Sequence, residues 1–366
     1  MSLLFVRPEG FWFSVRRIRG DSLANDILNI GLIGAGRIGR VHAENLTYRI
    51  PAARLLVVAD VAEQAARECA QRLGIPRAVG DYRAILEDRA IQAVAICSAT
   101  DTHAQIIEEA AQAGKHIFCE KPIALGLATI DQALAAVERA GVTLQIGFNR
   151  RFDANYRRVR QAVVQGEIGR PQLLHIISRD PAPPPIEYIK VSGGIFLDMT
   201  IHDFDMARFL IGGEVEEVYT AAAVMVDPAI GAAGDVDTAV VVLRFANGVI
   251  GTIDNSRRAV YGYDQRVEIL GSTGAIRIDN NYPNNAIIST QQRVQRDLPL
   301  NFFMERYTES FVAELTAFVD AVLHNTPVPV TGQDGRAPVA IGLAARKSYD
   351  ERRPVRLGEV DVKTSP

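Results

Sequence analysis

Short apolar runs alternate with amphipathic stretches over residues 28–150. The first run, Leu28–Ile33, is mostly apolar and ends at a glycine, which is typical of a strand buried on both faces of a parallel sheet. Similar runs predict strands at Leu55–Ala59, Ala93–Ile96, His116–Phe118 and Leu144–Gly147, and the stretches between predict helices from Arg37 onward and over Val61–Leu73, Thr102–Ala113 and Ile130–Ala140. This alternation predicts a doubly wound α/β domain.

Beyond Arg150 the apolar runs become longer and are separated by turn signals such as Ala246-Asn247-Gly248. They predict strands at Leu173–Ile177, Val218–Val226, Thr238–Phe245, Val249–Asn255 and Arg266–Leu270. Hairpin-like turns between them predict a large, mostly antiparallel open sheet, and therefore a second, α+β domain over residues 151–366. The two closing helical stretches, Arg306–Leu323 and Gly335–Arg346, are expected to pack back on the first domain.

One predicted strand, Thr238–Phe245, is apolar on both of its faces. Val241, Leu243 and Phe245 alternate with Val240 and Val242. If helices cover one face of the sheet, the other face remains apolar and free. Such a face predicts self-association.

Composition and charge narrow the class of protein. A length of 366 residues predicts two domains at roughly 150 residues each. With 48% apolar and 23% charged residues, a packed core is available and global disorder is excluded. The near balance of 40 basic and 43 acidic side chains disfavours nucleic acid and anionic membranes as partners and favours small molecules.

The cysteines and the chain start bear on location. Cys69, Cys97 and Cys119 form neither a CxxC pair nor an even disulfide framework, which favours a reducing cytoplasm. No apolar run approaches the roughly 20 residues that span a bilayer. Residues 1–27 lack the apolar stretch and cleavage site of a signal peptide, and we interpret them as a poorly ordered extension.

The segment Gly34-Ala35-Gly36-Arg37-Ile38-Gly39 lies where the first predicted strand meets the first predicted helix. Its glycines permit a tight turn and a close approach of the backbone to a pyrophosphate, which helix N-terminal amides attract. The second strand ends at Asp60, roughly 20 residues further on, where a carboxylate accepts hydrogen bonds from ribose hydroxyls. We therefore predict a Rossmann dinucleotide-binding domain over residues 28–150. Because Val61 and not a basic residue follows, NAD is favoured over NADP, although Asp60 could also cap a helix beginning at Val61.

A candidate catalytic lysine follows another predicted strand. Glu120-Lys121-Pro122 comes after the apolar run that ends at Phe118, at the sheet edge where open α/β proteins bind their ligands. The alternative is that Lys121 is a solvated surface lysine with Glu120 as its salt-bridge partner.

Asp198 and His202 stand four residues apart within Gly193–Asp205, so on a helix they would share one face. A histidine accepts a hydroxyl proton near neutral pH, and a neighbouring carboxylate would fix its tautomer and raise its pKa. The pair predicts a proton-transfer dyad. Two alternatives stay open: Asp198 could cap the helix, or His202 could bind a metal with Asp203 and Asp205. No further His or Cys cluster supports a metal, so we expect none.

Together these motifs resemble the family of glucose-fructose oxidoreductases, inositol dehydrogenases and rhizopine catabolism oxidoreductases, and the resemblance runs from Asn29 onward. Three segments are most similar to its inositol dehydrogenase branch: Ser178–Pro181, Asp198–Asp205 and Tyr261–Asp264. The resemblance implies NAD-dependent oxidation of the axial hydroxyl of myo-inositol to a ketone, in a homodimer or homotetramer. Alternative substrates are scyllo-inositol, an aldose such as glucose, or another cyclic polyol. A non-catalytic dinucleotide-binding regulator of the same fold would lack the Lys, Asp and His set.

The resemblance also implies roles for individual residues. Lys121 would hydrogen-bond the reacting hydroxyl, His202 would accept its proton, and Asp198 would orient His202. Arg151 and Tyr263 would line the polyol pocket, with an interdomain salt bridge and an ordinary strand aromatic as their alternatives. The cofactor would be bound by Gly34, Gly36, Arg37, Ile38, Gly39 and Asp60 and, near its nicotinamide end, by Ser98, Thr100, His103, Glu120 and Lys121.

Overall fold

The computed structural model describes residues 27–361, so the predicted N-terminal extension lies outside the described residues except for Ile27. A six-stranded sheet is followed by a seven-stranded sheet and a separate two-stranded hairpin. Within residues 27–361, no helix is long and apolar enough to cross a membrane.

The first sheet is parallel throughout. Its strands are β1 (Leu28–Ile33), β2 (Ala53–Ala59), β3 (Arg77–Val79), β4 (Ala93–Ile96), β5 (His116–Glu120) and β6 (Leu144–Gly147). The connecting helices are α1 (Arg37–Tyr48), α2 (Glu63–Leu73), α3 (Arg83–Leu86), α4 (Thr100–Gln112) and α5 (Leu127–Ala140). The strand order β3-β2-β1-β4-β5-β6 reverses between β1 and β4, which opens a crevice at their carboxyl ends. The predicted doubly wound fold is confirmed.

Apolar runs located five of these six strands. β1, β4 and β6 have the predicted bounds, whereas β2 begins two residues earlier and β5 continues to Glu120. β3 was not predicted, because it is three residues long and begins with the exposed Arg77, so no apolar run marks it.

The second sheet is mixed. The strands that follow Arg150 are β7 (Pro171–Arg179), β8 (Val215–Ala223), β9 (Thr238–Phe245), β10 (Ile250–Ser256), β11 (Asp264–Gly271), β12 (Ala275–Ile278), β13 (Ile287–Ser289), β14 (Val294–Arg296) and β15 (Val355–Arg356). The sheet order is β12-β11-β7-β10-β9-β8-β15, while β13 and β14 pair only with each other. β7 and β10 are parallel and the other pairs are antiparallel, which confirms the predicted, largely antiparallel sheet.

Helices cover one face of the second sheet. After a 3₁₀ turn at Asn149–Phe152, the helices are α6 (Ala154–Val164), α7 (Ile186–Ile189), α8 (Gly194–Asp198), α9 (Ile201–Ile211), α10 (Pro228–Ala232), α11 (Phe303–Arg306), α12 (Thr308–His324) and α13 (Gly332–Glu351), and a 3₁₀ turn at Leu357–Glu359 closes the described chain. α6, α9 and α13 pack on the second sheet. α12 instead places Leu315, Phe318 and Val319 in a core with β1 of the first sheet.

The predicted helix carrying both Asp198 and His202 is interrupted. α8 ends at Asp198 and α9 begins at Ile201. At the break, the Thr200 hydroxyl lies 2.7 Å from Asn255 Oδ1 on β10. At the same point the Thr200 amide donates to the carbonyl of Ile195 (2.8 Å), five residues back instead of four, so residues 198 and 202 do not lie on one continuous helix face.

Candidate active site

The glycine-rich loop lies in the crevice between β1 and β4. Gly34 has a φ of +100°, which favours glycine, and a Cβ there would meet the backbone of Cys97. A Cβ on Gly39 would overlap the Gly34 carbonyl oxygen, whereas one on Gly36 would have no atom within 4 Å. The first glycine therefore makes the turn and the third lets α1 approach it. The second leaves open space at the N-terminus of α1, which suits a pyrophosphate.

Arg37 and Ile38 open α1, directly after this space. The Arg37 guanidinium lies 5.6 Å from the centroid of the Phe302 ring. Ile38 is partly buried and packs against the cores of both sheets. The two residues thus anchor the start of the helix to the rest of the protein.

Asp60, at the end of β2, braces the glycine loop. Its Oδ2 accepts from the amide of Ala35 (2.7 Å), and its Oδ1 accepts from the amide of Ala62 (2.8 Å). The N-cap residue of α2 is Ala62, so Asp60 does not cap a helix beginning at Val61. A carboxylate offers about four acceptor positions, so Asp60 can still accept from a ribose hydroxyl. Val61 is 96% exposed and brings no positive charge.

The His103 side chain is enclosed and contacts two main-chain carbonyl groups. It is 2% exposed, and its ring nitrogens lie 2.8 Å from the Pro122 carbonyl and 3.0 Å from the Ser98 carbonyl. Burial lowers its pKa. The ring therefore ties the end of β4 to the loop after β5, and its expected role near the nicotinamide end of the cofactor stays a prediction. Ser98 and Thr100 remain partly exposed at the rim, where the Ser98 hydroxyl lies 2.7 Å from that of Thr102.

Glu120, the last residue of β5, pairs with a histidine of α1. Its Oε1 lies 2.6 Å from Nε2 of the fully buried His42. The Glu120 side chain is 12% exposed, and it is not paired with Lys121. The alternative of a salt bridge between Lys121 and Glu120 is therefore wrong.

Lys121 and Asp198 come together across the crevice, although 77 positions separate them. Lys121 Nζ donates to the main-chain carbonyl of Asp198 (2.9 Å) and lies 3.9 Å from its Oδ1. The two side chains are only 15% and 14% exposed. The Asp198 carboxylate also accepts from the Tyr188 hydroxyl (2.8 Å) and from Arg257 Nη1 (3.3 Å).

His202 lies beside Lys121 but is not paired with Asp198. Its Nδ1 is enclosed without a hydrogen-bond partner among residues 27–361, and its ring stands perpendicular to Phe148 at 6.0 Å between ring centroids. The residue as a whole is only partly buried, so Nε2 is the atom available to a substrate. Burial, followed by the charges of Lys121 and Arg150, lowers the pKa of His202 well below its ordinary range. The expected rise in that pKa is wrong, because the carboxylate faces other partners.

Arg150, not Arg151, reaches Tyr263. Arg150 Nη2 donates to the Tyr263 hydroxyl (3.3 Å) and Nη1 to Asp203 (2.6 Å). Arg151 instead forms a two-pronged ion pair with Asp205 and contacts Asp334 at 3.0 Å. Successive residues of a 3₁₀ turn point about 120° apart, so the two arginines diverge. Arg151 therefore forms salt bridges, although within the second domain and not between the two domains as the alternative had it.

Three further residues join the site that the motifs did not indicate. Tyr188 and Arg257 bind the Asp198 carboxylate, as described above. Burial raises the pKa of Asp180 to about 7, opposed by Arg257 and reinforced by Asp198. In the sequence, Asp180 was indicated only by its place in Ser178–Pro181, one of the segments that resemble the family. Tyr188 follows a proline run and Arg257 a strand end, and neither position carries a pattern in sequence.

The alternative metal site is not assembled. Asp203 binds Arg150 and Asn255, and Asp205 binds Arg151. Among residues 27–361, the one group of His, Cys, Asp and Glu close enough to share an ion is His42, Glu120 and Glu314.

Two family models match the chain. One, an oxidoreductase family with an NAD-binding Rossmann fold, matches residues 28–148, and the other, the GFO/IDH/MocA C-terminal domain, matches residues 156–277. Both matches fall on the sheets described above.

Known proteins are similar over nearly the whole chain. Myo-inositol 2-dehydrogenase of Thermotoga maritima is 51% identical over 333 residues, which cover 91% of this chain and 99% of that protein. Inositol 2-dehydrogenase of Rhizobium meliloti is 46% identical over 330 residues, which cover 90% of this chain and 99% of that protein. The crystal structure of scyllo-inositol dehydrogenase from Lactobacillus casei, with bound NAD(H) and scyllo-inositol, has a TM-score of 0.85 at 31% identity and covers 91% and 99%. The chain therefore belongs to the GFO/IDH/MocA family of oxidoreductases, as its motifs implied.

Proposed function

We propose that this protein is an NAD-dependent dehydrogenase that oxidises the axial hydroxyl of myo-inositol to a ketone. The observation that carries the proposal is the convergence of Lys121, Asp198 and His202 beside a glycine loop with dinucleotide-type geometry. The similarity to proteins named for inositol oxidation supports the choice of substrate.

Each of the three residues has a role that its surroundings support. His202 is neutral because burial and neighbouring positive charges disfavour its imidazolium, so Nε2 can accept the hydroxyl proton over a wide pH range. Lys121 supplies a positively charged donor that stabilises the developing alkoxide. Asp198 holds Lys121 through its main-chain carbonyl and carboxylate, and we assign it to positioning Lys121 instead of orienting His202.

The residues around the glycine loop fit a dinucleotide. Gly36 leaves the pyrophosphate space open, and Asp60 retains acceptor capacity for the ribose. Ser98 and Thr100 follow β4 and Glu120 ends β5, the two strands that follow β1 in the sheet order, and we assign these three residues to the nicotinamide half of the cofactor. NAD, when bound, supplies the carbon that accepts the hydride.

The polar side chains around Lys121 suit a polyol. The Tyr188 hydroxyl donates to the Asp198 carboxylate, the Asp180 carboxyl group lies near the same carboxylate, and the Arg150 guanidinium lies near His202. A ring carrying many hydroxyls needs such a mixture of donors and acceptors, because each buried hydroxyl must be hydrogen-bonded.

Absorbance of NADH over a panel of substrates tests this proposal. We expect the highest kcat/KM with myo-inositol, against scyllo-inositol, glucose and a linear polyol. Lys121→Ala and His202→Ala should bind NAD yet lose turnover by at least about 100-fold. A higher kcat/KM with scyllo-inositol would reassign the substrate within the inositols. Turnover of glucose without turnover of any inositol would refute the inositol assignment, and near-normal turnover in either variant would remove that residue from the reaction.

We also propose a homodimer built through the uncovered face of the second sheet. Leu173, Val240, Ile250 and Leu270 are 41–49% exposed there, and the register places Leu270, Leu173 and Ile250 side by side. Val240→Glu would place a charge in this face and should convert the dimer to a monomer, measured by light scattering after gel filtration. The three buried, unpaired cysteines suit a reducing compartment, and we propose the cytoplasm.

A further inference from the structure

Three titratable side chains meet in the interior where α1, β5 and α12 come together. They are His42, Glu120 and Glu314, and one polar atom from each lies within 4.8 Å of the others. His42 and Glu314 are completely buried. The proposed reaction uses neither of them, so their place beside Glu120 needs its own explanation.

No described residue donates a hydrogen bond to the Glu314 carboxyl group. Both of its carboxyl oxygens are enclosed and receive no hydrogen bond from a described residue, while its main-chain carbonyl accepts from Gln145 (2.7 Å). The Nε2 atom of His42 is committed, because it lies 2.6 Å from Glu120 Oε1, whereas Nδ1 is enclosed without a hydrogen-bond partner among the described residues. Within the described chain, no lysine or arginine forms an ion pair with Glu314.

The surroundings of Glu314 oppose a second negative charge. The titratable groups that face it are His42 from α1, Glu120 from β5 and the thiol of Cys97 after β4. The arginines of the nearby 3₁₀ turn are paired with Asp203 and Asp205. Burial, followed by the charge of Glu120, raises the pKa of Glu314 well above its ordinary range. Ionising both of two carboxyl groups that are this close and this buried carries a large free-energy cost.

We propose that Glu314 is a neutral carboxylic acid that shares its proton with Glu120 and is a positioning residue for Lys121. The second part rests on the proposed function. The His42–Glu120 pair joins α1, which starts at the glycine loop, to the strand end directly before Lys121. A neutral Glu314 can donate a hydrogen bond to Glu120 and so stabilise the His42–Glu120 pair. An ionised Glu314 would instead repel Glu120 and compete with it for a hydrogen bond from His42.

A divalent cation is the other way to compensate two carboxylates. Two ligands bound tetrahedrally at the usual zinc distances lie roughly 3.3 Å apart. His42 and Glu120 are 2.6 Å apart, which is a hydrogen-bond distance. The geometry therefore favours a proton over a metal.

The protonation state can be measured without any activity assay. Infrared spectroscopy of protein labelled with ¹³C-glutamate should show a protonated carboxyl band at pH 8 that Glu314→Gln removes. Because a raised folded-state pKa makes stability fall as pH rises above the unfolded value, Glu314→Gln should gain Tm over wild type progressively from pH 5 to pH 8. Glu309→Gln is the matched control on the same helix, because Glu309 is exposed and pairs with Arg49 at the surface. A missing band, or a Tm difference that does not change with pH, would overturn the neutral acid. So would a stoichiometric divalent ion, found by elemental analysis of the purified protein and lost in Glu314→Gln.

The positioning role is tested by comparing two substitutions in the folded, NAD-binding enzyme. Glu314→Gln keeps a neutral donor and should retain kcat within about twofold, whereas Glu314→Ala should lower kcat on the order of tenfold with a smaller effect on the KM for NAD. Equal losses in both variants, or full kcat in Glu314→Ala, would refute positioning through a shared proton. If the enzyme oxidised no inositol at all, the infrared and Tm results would still decide the protonation state.

Discussion

The open space at Gly36 and the tight contact at Gly39 predict opposite outcomes for the same substitution. At Gly36, φ of −68° and ψ of −168° suit any residue, and an added Cβ would have no atom within 4 Å. At Gly39, an added Cβ would overlap the Gly34 carbonyl oxygen, a backbone atom that cannot rotate away. Gly36→Ala should therefore disturb the ligand alone, and Gly39→Ala the fold and the ligand together.

The magnitudes follow from these contacts. Gly36→Ala should change the free energy of unfolding by less than about 0.5 kcal/mol, as for an unstrained surface substitution. Its methyl group would occupy the pyrophosphate space and displace about two charge-assisted hydrogen bonds, which is about 3 kcal/mol or about 100-fold in the Kd for NAD. Gly39→Ala should cost about 3 kcal/mol of stability, the upper end for overpacking, and lower Tm by about 6–12 °C.

Two measurements test the roles of Gly36 and Gly39: NAD affinity by isothermal titration calorimetry, and Tm by scanning calorimetry in the absence of cofactor. Gly358→Ala is a suitable control, because its Cβ would also meet nothing within 4 Å and Gly358 lies far from the loop in the chain. It should leave both quantities unchanged. Wild-type NAD affinity in Gly36→Ala would show that the pyrophosphate does not approach this glycine. An unchanged Tm in Gly39→Ala would refute the role assigned to the third glycine.

Other predictions concern the cofactor, the base and the paired arginines. Because Asp60 is followed by the exposed Val61, kcat/KM should be higher with NAD than with NADP, and a preference for NADP would contradict this reading of Asp60. Because the pKa of His202 is lowered, the rate of oxidation should persist well below pH 6.5 and fall only as His202 becomes protonated. A fall in rate at or above pH 6.5 would contradict a lowered pKa for the base. Lys121→Met removes a positive charge and should raise the His202 pKa, as followed by NMR of ¹³C-histidine in the free enzyme; an unchanged value would exclude that coupling. Arg151→Met leaves the buried Asp205 unpaired and should cost about 3–5 kcal/mol of stability in denaturant unfolding, whereas a loss of substrate affinity at normal stability would return Arg151 to the pocket.

The sequence alone determined the framework and the parts of the site that depend on neighbours in the chain. Apolar runs predicted β1, β4 and β6 with the observed bounds, because a strand buried on both faces needs consecutive apolar residues. The glycine spacing predicted the loop geometry, since turn and close approach are properties of adjacent residues. The position of Lys121 at a strand end predicted that it would lie at the binding edge of the sheet.

Only the tertiary structure decided how the chemical groups are paired. The hydrogen bond between Thr200 and Asn255, 55 positions apart, accompanies the break in the predicted helix, so four-residue spacing did not produce an Asp198–His202 pair. Which of Arg150 and Arg151 contacts Tyr263 depended on the directions in which a 3₁₀ turn points its side chains. The lowered pKa of His202 depended on burial and on the charge of Lys121, which follows β5 of the other sheet. Hydrogen bonds and charge interactions act over a few ångströms in space regardless of separation along the chain, so no local pattern could have revealed them.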